Sequence, residues 1–301
     1  MKKGTMKTKK NIKMLSEINN YYGVQQSIKS PTTEFNIDNF IDKVIKGDCI
    51  EIMKMLPDEI VDTIFVDPPY NLQLPNRKLI RWSGSVVNGV NDDWDKFRDF
   101  KEYDEFTEKW LIEVKRLMKP NATIWVIGTY HHIFRTGKIM QDLGFWILND
   151  VIWLKTNPVP NFLQVRFTNA TETLIWAVKD KNVKNYTFNY EYAKRYGFGK
   201  VGANVWMIPV CSGKERLKNE KGQKLHSTQK PEKLLERIIS ISTNKNDIVL
   251  DPMAGSGTTG FVAKKLGRHF ILIEKEEQYV KATIKRLVNL ENSSLQLLNG
   301  L

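Results

Sequence analysis

The sequence predicts an α/β fold built on one sheet of seven mostly parallel strands. From residue 42 onward, short apolar runs alternate with segments whose apolar residues recur at helical spacing. Helical segments separate most of the apolar runs, and this arrangement places successive strands parallel in one sheet. The chain has 301 residues, which is long enough to bury a substantial core. We therefore expect one large α/β domain over residues 41–301.

The predicted strands are short and follow one another in a regular order. Each is a run rich in Val, Ile, Leu and aromatic residues, and the clearest are bounded by polar or turn-forming residues. They cover residues 44–45, 61–66, 122–127, 146–154, 172–178, 248–250 and 269–273.

The predicted helices lie between these strands. The helix over 104–119 is the clearest, because Pro120 supplies its stop signal. Its apolar face consists of Phe106, Trp110, Leu111, Val114, Leu117 and Met118. The other helices cover 49–56, 132–143, 258–266 and 276–290, and one more opens at Pro231.

Three segments interrupt this rhythm. Residues 1–40 carry seven lysines against three acids, followed near their end by Ser30-Pro31-Thr32-Thr33, so we expect a flexible basic arm there. Residues 71–103 form a long irregular connection, which in a compact domain is usually functional or mobile. Residues 155–229 are rich in proline, glycine, aromatic and basic residues, and we interpret them as an inserted recognition region.

The charge balance favours an acidic partner. The chain has 46 Lys and Arg against 34 Asp and Glu, a formal net charge of +12. Nucleic acid is the commonest partner of such a chain, although a merely basic enzyme would have the same balance. Part of the surplus lies in the insert, at Lys214, Arg216, Lys218, Lys221 and Lys224. This cluster is either a phosphate track or a solvated run of charge.

The cysteines and the apolar runs exclude several classes of protein. Cys49 and Cys211 are too few for a disulfide framework, and they lack the spacing of metal ligands. The longest apolar runs fall far short of the ~20 residues that a membrane span needs. We therefore expect a reduced, cytoplasmic protein without a metal site.

The tetrapeptide Asp67-Pro68-Pro69-Tyr70 follows the predicted strand 61–66 directly. Ligands of open α/β sheets bind at the carboxyl ends of strands, where this tetrapeptide lies. The Asp67 carboxylate and the Pro68 carbonyl could each accept one hydrogen of an exocyclic amine and direct its lone pair towards a methyl donor. Tyr70 offers a flat face to a base flipped out of a duplex. A proline-rich turn that merely closes the strand is the alternative.

A glycine-rich loop follows the strand over 248–250. The segment that starts at Asp251 reads D-P-M-A-G-S-G-T-T, and its glycines let a ligand approach the backbone closely. A Walker nucleotide site fails, because Phe261 rather than lysine follows the last glycine of the loop. Asp251 would repel a pyrophosphate but suits a cationic ligand, and Glu274 suits the hydroxyls of a ribose. These features fit S-adenosylmethionine, with Asp48 placed to meet the adenine amine.

These motifs resemble the beta class of amino-group DNA methyltransferases, in which D-P-P-Y precedes the D-P-x-x-G-S-G-T-T loop in a circularly permuted order. Residues 226–231, His-Ser-Thr-Gln-Lys-Pro, resemble the H-P-T-Q-K-P motif of that class, with Ser227 in place of proline. Residues 67–74, 91–95, 157–162 and 166–170 resemble the GANTC-specific adenine methyltransferases, which include the HinfI-type and cell-cycle-regulated enzymes. The resemblance covers roughly residues 43–288. It implies a Rossmann-like S-adenosylmethionine-dependent methyltransferase fold with a target-recognition insert.

The resemblance also implies roles for particular residues. Catalysis is assigned to Asp67, Pro68, Pro69 and Tyr70. The cofactor motifs contain Asp48, Lys230, Asp251, Gly255, Gly257, Thr258 and Glu274. The expected reaction is methyl transfer to the N6 amine of a flipped adenine in GANTC, since Asp rather than Ser before Pro-Pro-Tyr favours adenine over cytosine in this superfamily.

DNA contacts are expected from the insert and from the loop after Tyr70. Arg166 and Asn169 suit bidentate contacts with guanine and adenine edges, although Asn169 suits a structural role before a strand nearly as well. Trp82, beside Arg81, either wedges into the base stack or packs in the ordinary way. The remaining expected contacts are Asn71, Lys214 and Arg216.

Some alternatives stay open at this point. The same chemistry could act on cytosine N4 or on RNA. Alternatively, the protein is not an enzyme but a DNA-binding regulatory subunit. GANTC enzymes usually continue with a C-terminal domain that grips DNA, whereas this chain stops soon after its last predicted helix. We expect the basic arm to supply part of the phosphate contact, so that its removal flattens the salt dependence of binding. A homodimer, a cognate restriction endonuclease and a place at the bacterial nucleoid are further expectations.

Overall fold

A computed structural model describes residues 22–23, 36–71, 79–80, 86–87, 95–161, 164–196 and 201–299 of the chain. Arg81 and Trp82, which the sequence suggests as DNA contacts, lie outside these residues, as does most of the expected basic arm.

Nine strands of the described chain form one sheet, and two more form a small antiparallel pair, β4 with β5. The strands are β1 Tyr22–Gly23, β2 Lys43–Lys46, β3 Val61–Val66, β4 Leu79–Ile80, β5 Val86–Val87, β6 Met118–Gly128, β7 Trp146–Lys155, β8 Thr171–Val178, β9 Val205–Ile208, β10 Ile248–Asp251 and β11 His269–Glu274. Their order in the sheet is β1-β2-β11-β10-β3-β6-β8-β7-β9. In this order, β1, β2, β11, β10, β3 and β6 are parallel to their neighbours in the series. Strand β7 is parallel to β9, whereas β8 is antiparallel to both β6 and β7. The mostly parallel α/β sheet is confirmed, with all seven predicted strands in it.

The insert, which is irregular by its sequence pattern, contributes an edge strand. β9 pairs with β7, and its side chains alternate, with Trp206 and Ile208 buried and Met207 exposed. Four residues are too few for this periodicity to separate a strand from a loop. The Trp206 ring lies 5.8 Å from the ring of Trp125. Trp206 is therefore a core residue.

The segment expected to be a flexible arm also contributes a strand. In β1, Tyr22 pairs with Val44 and Gly23 pairs with Ile45 at the edge of the sheet. These two residues therefore belong to the sheet and are not part of a free arm.

The helices of the described chain are α1 Cys49–Lys54, α2 Phe100–Leu117, α3 Ile133–Asp142, α4 Tyr190–Ala193, α5 Glu232–Ser242, α6 Thr258–Lys265 and α7 Glu277–Asn299, with 3-10 turns at Ile37–Asn39 and Lys194–Tyr196. Helix α2 begins four residues before its predicted start, because the Asp99 side chain accepts a hydrogen bond from the Glu102 amide and caps the helix. None of the described helices is both long and apolar enough to cross a membrane.

Apolar layers cover both faces of the sheet. One layer takes Leu235 from α5, Val262 from α6 and Leu287 from α7. The other takes Met53 from α1 and Trp110 from α2. The helices thus cover the faces but leave the carboxyl ends of β2, β11, β10 and β3 to their loops. Polar side chains on those loops come together there.

Candidate active site

A cavity of about 390 Å³ lies at the carboxyl ends of the parallel strands. The register of the sheet brings the ends of β3, β10 and β11 side by side, so the loops that follow them meet. The predicted catalytic residues Asp67, Pro68, Pro69 and Tyr70 line this cavity, and so do Asp48, Lys230, Asp251, Gly255, Thr258 and Glu274 from the predicted cofactor motifs. A cavity of this size lies within the range of small-molecule sites.

Lys230 is bound to Asp67. Its ammonium donates to both carboxylate oxygens, Oδ1 at 2.8 Å and Oδ2 at 2.7 Å. The Lys230 side chain is only 7% exposed, and the Thr258 hydroxyl donates to its backbone carbonyl at 3.3 Å. Burial raises the pKa of Asp67 despite the opposing ammonium. Lys230 was assigned to the cofactor by its motif, but its charged end contacts the catalytic candidate.

Three contacts hold the Asp-Pro-Pro-Tyr loop in place. The Asp95 Oδ1 atom accepts hydrogen bonds from the Tyr70 amide at 2.5 Å and from the Asn71 amide at 2.8 Å. The Tyr103 hydroxyl donates to the Pro69 carbonyl at 2.8 Å. Asn71 has a positive φ of 50° and a buried side chain. Asn71, which the sequence suggests as a DNA contact, is part of the buried support of this loop in the structure.

The ring of Tyr70 is buried, contrary to the open face expected for a flipped base. It is 8% exposed and lies 4.7 Å from the His132 ring, centroid to centroid. The Lys230 ammonium lies 5.1 Å from the centre of the same ring. A base that stacks on Tyr70 must therefore displace a neighbour, and Lys230 is the one on a flexible side chain.

Glu172 on β8 belongs to the site but was missed in the sequence. Its Oε2 accepts from the Tyr70 hydroxyl at 3.0 Å and lies 3.9 Å from the Lys230 ammonium, and its Oε1 lies 2.8 Å from the Lys155 ammonium. Burial acts to raise the pKa of Glu172, but Lys230 and Lys155 outweigh it and hold that pKa below its ordinary value. The signal was present, since Glu172 occupies a buried position of a strand whose other buried positions are all apolar.

Two buried carboxyl groups face the other part of the cavity. Asp251 accepts from the Thr259 hydroxyl at 2.5 Å and from the Met253 amide at 3.1 Å. Glu274 accepts from the Gly255 and Glu276 amides, both at 2.7 Å. Burial raises the pKa of each carboxyl to about 7. A cationic or hydrogen-donating ligand would stabilise the ionised form of these carboxyl groups, because it replaces the hydration that burial removed.

The glycines of the loop have different reasons to be glycine. Gly255 has a φ of +50°, and a Cβ there would lie 2.8 Å from His226 Nε2 beside the cavity. Gly257 has a φ of +68°, but a Cβ there would meet Thr283 Cγ2 at 2.1 Å. The packing of the loop against α7 therefore requires glycine at position 257.

The predicted DNA contacts separate into surface and buried residues. Arg166 and Asn169 are exposed on the loop between β7 and β8, where the Arg166 Nη1 donates to the Tyr130 hydroxyl at 2.8 Å. Lys214 is exposed as well. Arg216 instead donates to the backbone carbonyls of Cys211, His226 and Ser227. The Arg216 guanidinium thus holds the loop that carries Lys230, and its expected phosphate contact stays a prediction.

Comparison with known proteins gives a consistent picture. Residues 61–285 match the family described as DNA methylase. The chain is 54% identical over 252 residues to the Type II methyltransferase M.HinfI of Haemophilus influenzae, which covers 84% of the chain and 70% of that protein. It is 42% identical over 244 residues to the Type II methyltransferase M2.LlaDCHI of Lactococcus lactis subsp. cremoris, covering 81% and 88%.

Solved structures share the fold. The M1.HpyAVI-SAM complex aligns with a TM-score of 0.58 at 30% identity, over 81% of this chain and 98% of that one. The PvuII DNA methyltransferase, which is cytosine-N4-specific, aligns with a TM-score of 0.61 at 22% identity, over 86% and 93%. The second likeness concerns the fold alone.

Proposed function

The chain belongs to the DNA methylase family, and from this premise we propose that it methylates the N6 amine of adenine in GANTC sites of duplex DNA. It is a DNA methyltransferase with S-adenosylmethionine as its cofactor, the molecule named in the M1.HpyAVI complex. One observation carries the proposal: Asp67, Pro68 and Tyr70 line the same cavity as Asp251 and Glu274. The choice of adenine and of GANTC is supported by the sequence motifs and by the 54% identity to M.HinfI.

The cavity fits the cofactor. When bound, S-adenosylmethionine supplies a methyl group activated by a sulfonium cation. Asp251 provides a buried carboxylate for a positively charged ligand, and Glu274 provides acceptors for ribose hydroxyls at the end of β11. Asp48 lines the same cavity while its Oδ1 caps α1. The close approach of Gly255 to His226 leaves no room for a Cβ and keeps the loop tight around this space.

Asp67 and Pro68 act on the target amine. The amine of adenine is a poor nucleophile, because its lone pair is delocalised into the ring. A carboxylate and a carbonyl that each accept one N–H hydrogen hold the lone pair towards the methyl donor, which is catalysis by orientation and electrostatics. The amine loses one proton on methylation, and Asp67 is the base within reach. Burial raises the pKa of Asp67, which suits it to accept that proton.

The loop between β7 and β8 is the proposed DNA-reading surface. Lys155 and Glu172, at either side of this loop, are bound to each other at 2.8 Å, so the loop projects from the active-site edge of the sheet. Asn161 shapes the loop, since its Nδ2 donates to the Arg166 carbonyl at 2.7 Å. Phe167 at its surface is 98% exposed. In this proposal, Arg166 and Asn169 read base edges and Phe167 is a wedge between base pairs.

Phosphate contacts are proposed for the exposed lysines of the insert. Lys218 and Lys224 pair across a short antiparallel bridge, and Lys214, Lys218, Lys221 and Lys224 are all exposed. Residues before β1 are the second source of positive charge, so deletion of residues 1–20 should flatten the slope of log K against log salt while keeping β1. An unchanged slope removes the arm from the proposal.

Two protein partners belong to the same proposal. The relatives are Type II methyltransferases, which supports a cognate restriction endonuclease as a partner. We also propose a homodimer acting on the bacterial nucleoid in the cytoplasm. Sedimentation of the chain with and without a GANTC duplex measures the oligomeric state, and a monomer under both conditions removes the dimer.

Methyl transfer to matched duplexes tests the proposal. The chain is incubated with methyl-labelled S-adenosylmethionine and with duplexes that differ only in the central site, GANTC or a scrambled order. We expect label in the GANTC duplex alone, and none with Asp67→Ala. Label in both duplexes would reject the site, label on cytosine or only on RNA would reject the target, and no label with the unaltered chain would favour a regulatory subunit.

A further inference from the structure

Lys230 occupies the two places that the target base needs. Its ammonium binds both oxygens of Asp67, at 2.7 and 2.8 Å, and lies 5.1 Å from the ring centre of Tyr70. The target amine must donate to Asp67, and the base must reach the ring of Tyr70. A neutral amine does not displace an ammonium from the same carboxylate, because the charge-assisted hydrogen bond is the stronger one. The ammonium therefore needs another acceptor before the base can bind productively.

Glu172 is that acceptor. Its Oε2 already lies 3.9 Å from the Lys230 ammonium, so a shift of about 1 Å makes a hydrogen bond of ordinary length. Its side chain is only 10% exposed, so an ammonium that moves towards it stays out of water. The lysine can make this move by rotating its flexible stem without moving the loop that carries it.

The surrounding charges allow the exchange. Asp67 and Glu172 provide two negative charges, and Lys155 and Lys230 provide two positive ones. Lys155 stays on Glu172 Oε1 at 2.8 Å, and the Tyr70 hydroxyl donates to Oε2 at 3.0 Å. Glu172 therefore remains satisfied before and after the exchange. Asp67 loses a counter-ion and gains an amine donor, which makes it a stronger base when the amine has a proton to release.

We propose that Glu172 is a positioning residue that takes Lys230 from Asp67 when the target base enters, and so frees both Asp67 and the Tyr70 ring. This inference rests on the proposed function, since it describes how the same site admits its base. Stability alone is a weak reason for a glutamate on an inward strand position, because apolar replacements of buried ion pairs are often as stable. The Tyr70 hydroxyl bond ties Glu172 to the ring that the base would contact.

Glu172→Gln tests the exchange, because it keeps the shape and the acceptor for Tyr70 but removes the charge that attracts Lys230. We expect kcat to fall at least tenfold, with the KM for S-adenosylmethionine and the Tm little changed. Asp62→Asn is the matched control. Asp62 pairs with Lys119 at 2.7 Å, at the amino end of β3 and away from the cavity, so its loss should leave kcat unaltered. An unchanged kcat in Glu172→Gln would overturn the proposal.

The pH profile is a second measurement on the same variant. In Glu172→Gln, Lys230 stays on Asp67 and the Glu172 charge that raises the pKa of Asp67 is lost, so that carboxylate remains ionised to lower pH and the acidic limb of kcat should move to lower pH. A lower kcat with an unmoved limb would contradict the exchange. The other groups facing this ammonium are Arg216, Tyr70, His132 and His226, and Asp251 faces Asp67. Burial lowers the pKa of His132 to about 3 and of His226 to about 4, so neither titrates in the working range.

A structure of the unaltered chain gives a reading that does not depend on any variant folding. The chain is crystallised with a GANTC duplex and sinefungin, an unreactive amine analogue of the cofactor. The exchange predicts the Lys230 Nζ within hydrogen-bonding distance of Glu172 and away from Asp67. Lys230 still on Asp67 beside a bound adenine, in a chain that methylates adenine, refutes the exchange alone. A chain that methylates no DNA refutes the proposed function and the exchange with it.

Discussion

The ammonium of Lys230 lies 2.7 Å from Oδ2 of Asp67, although 163 positions separate the two residues in the chain. One comes from the loop after β3 and the other from the loop before α5, so the contact joins two motifs that the sequence keeps far apart. Lys230 thus holds the Asp67 carboxyl at the edge of the cavity that Asp251 and Glu274 share.

Asp67→Asn separates catalysis from cofactor binding. The amide keeps the size of the side chain but cannot take up the proton and accepts hydrogen bonds more weakly. We expect kcat to fall by about 10²- to 10³-fold, the range for loss of one preorganised electrostatic contact. The Kd for S-adenosylmethionine, measured by calorimetry, should change by less than about threefold. A parallel loss of cofactor affinity would instead place Asp67 in the cofactor site.

Cofactor binding should tighten as the pH rises. Burial raises the pKa of Asp251 to about 7, so its ionised fraction grows from about one-tenth at pH 6 to about nine-tenths at pH 8. A cationic ligand binds the ionised form, and affinity should rise up to about tenfold over this range. Calorimetry at the two pH values measures the change. Asp251→Asn should bind weakly at both, and an affinity that falls with pH in the unaltered chain would contradict the assignment.

Gly257→Ala should lower the free energy of unfolding more than Gly222→Ala, the same substitution at a glycine with a similar backbone conformation. Gly257 and Gly222 both have positive φ, +68° and +73°, but a Cβ meets Thr283 at 2.1 Å in the first case and open space in the second. Gly222→Ala should cost only the left-handed conformation, about 1–2 kcal/mol. Gly257→Ala adds overpacking of about 1–3 kcal/mol more. Thermal unfolding compares them, and equal losses would show that packing against α7 is unimportant.

Phe167→Ala tests the proposed wedge. The side chain is 98% exposed, so its removal should leave the Tm unchanged while it slows methylation of a fully paired site. A duplex with a mismatch at the target adenine should restore the rate, because its base is easier to flip. Trp146→Ala serves as the control, since Trp146 is 52% exposed at the opposite end of the sheet. Equal rates for Phe167→Ala and the unaltered chain on the paired site would remove the wedge.

The sequence predicted the site best where acidic residues directly follow predicted strands. A buried strand followed by Asp67-Pro68-Pro69-Tyr70 and another followed by Asp251 place acids at one edge of a parallel sheet, because parallel strands end together. The apolar runs also located all seven predicted strands. The short edge strand β9 was not predicted, because four residues show too little periodicity to identify a strand.

Side-chain partners could not be predicted, because they depend on how distant loops meet. Lys230 and Arg216 are both basic residues in polar segments, and sequence alone assigned one to the cofactor and the other to DNA. In the structure Lys230 binds Asp67, and Arg216 binds backbone carbonyls. Glu172 shows the opposite case, since an acid at an inward strand position is a usable signal once the strand is assigned.

The identity of the methylated base tests the central claim most directly. A GANTC duplex is incubated with the chain and S-adenosylmethionine, digested to nucleosides and analysed by mass spectrometry. The account predicts N6-methyladenine at the GANTC adenine and unmodified cytosine. N4-methylcytosine, or methylation independent of the GANTC order, would contradict it.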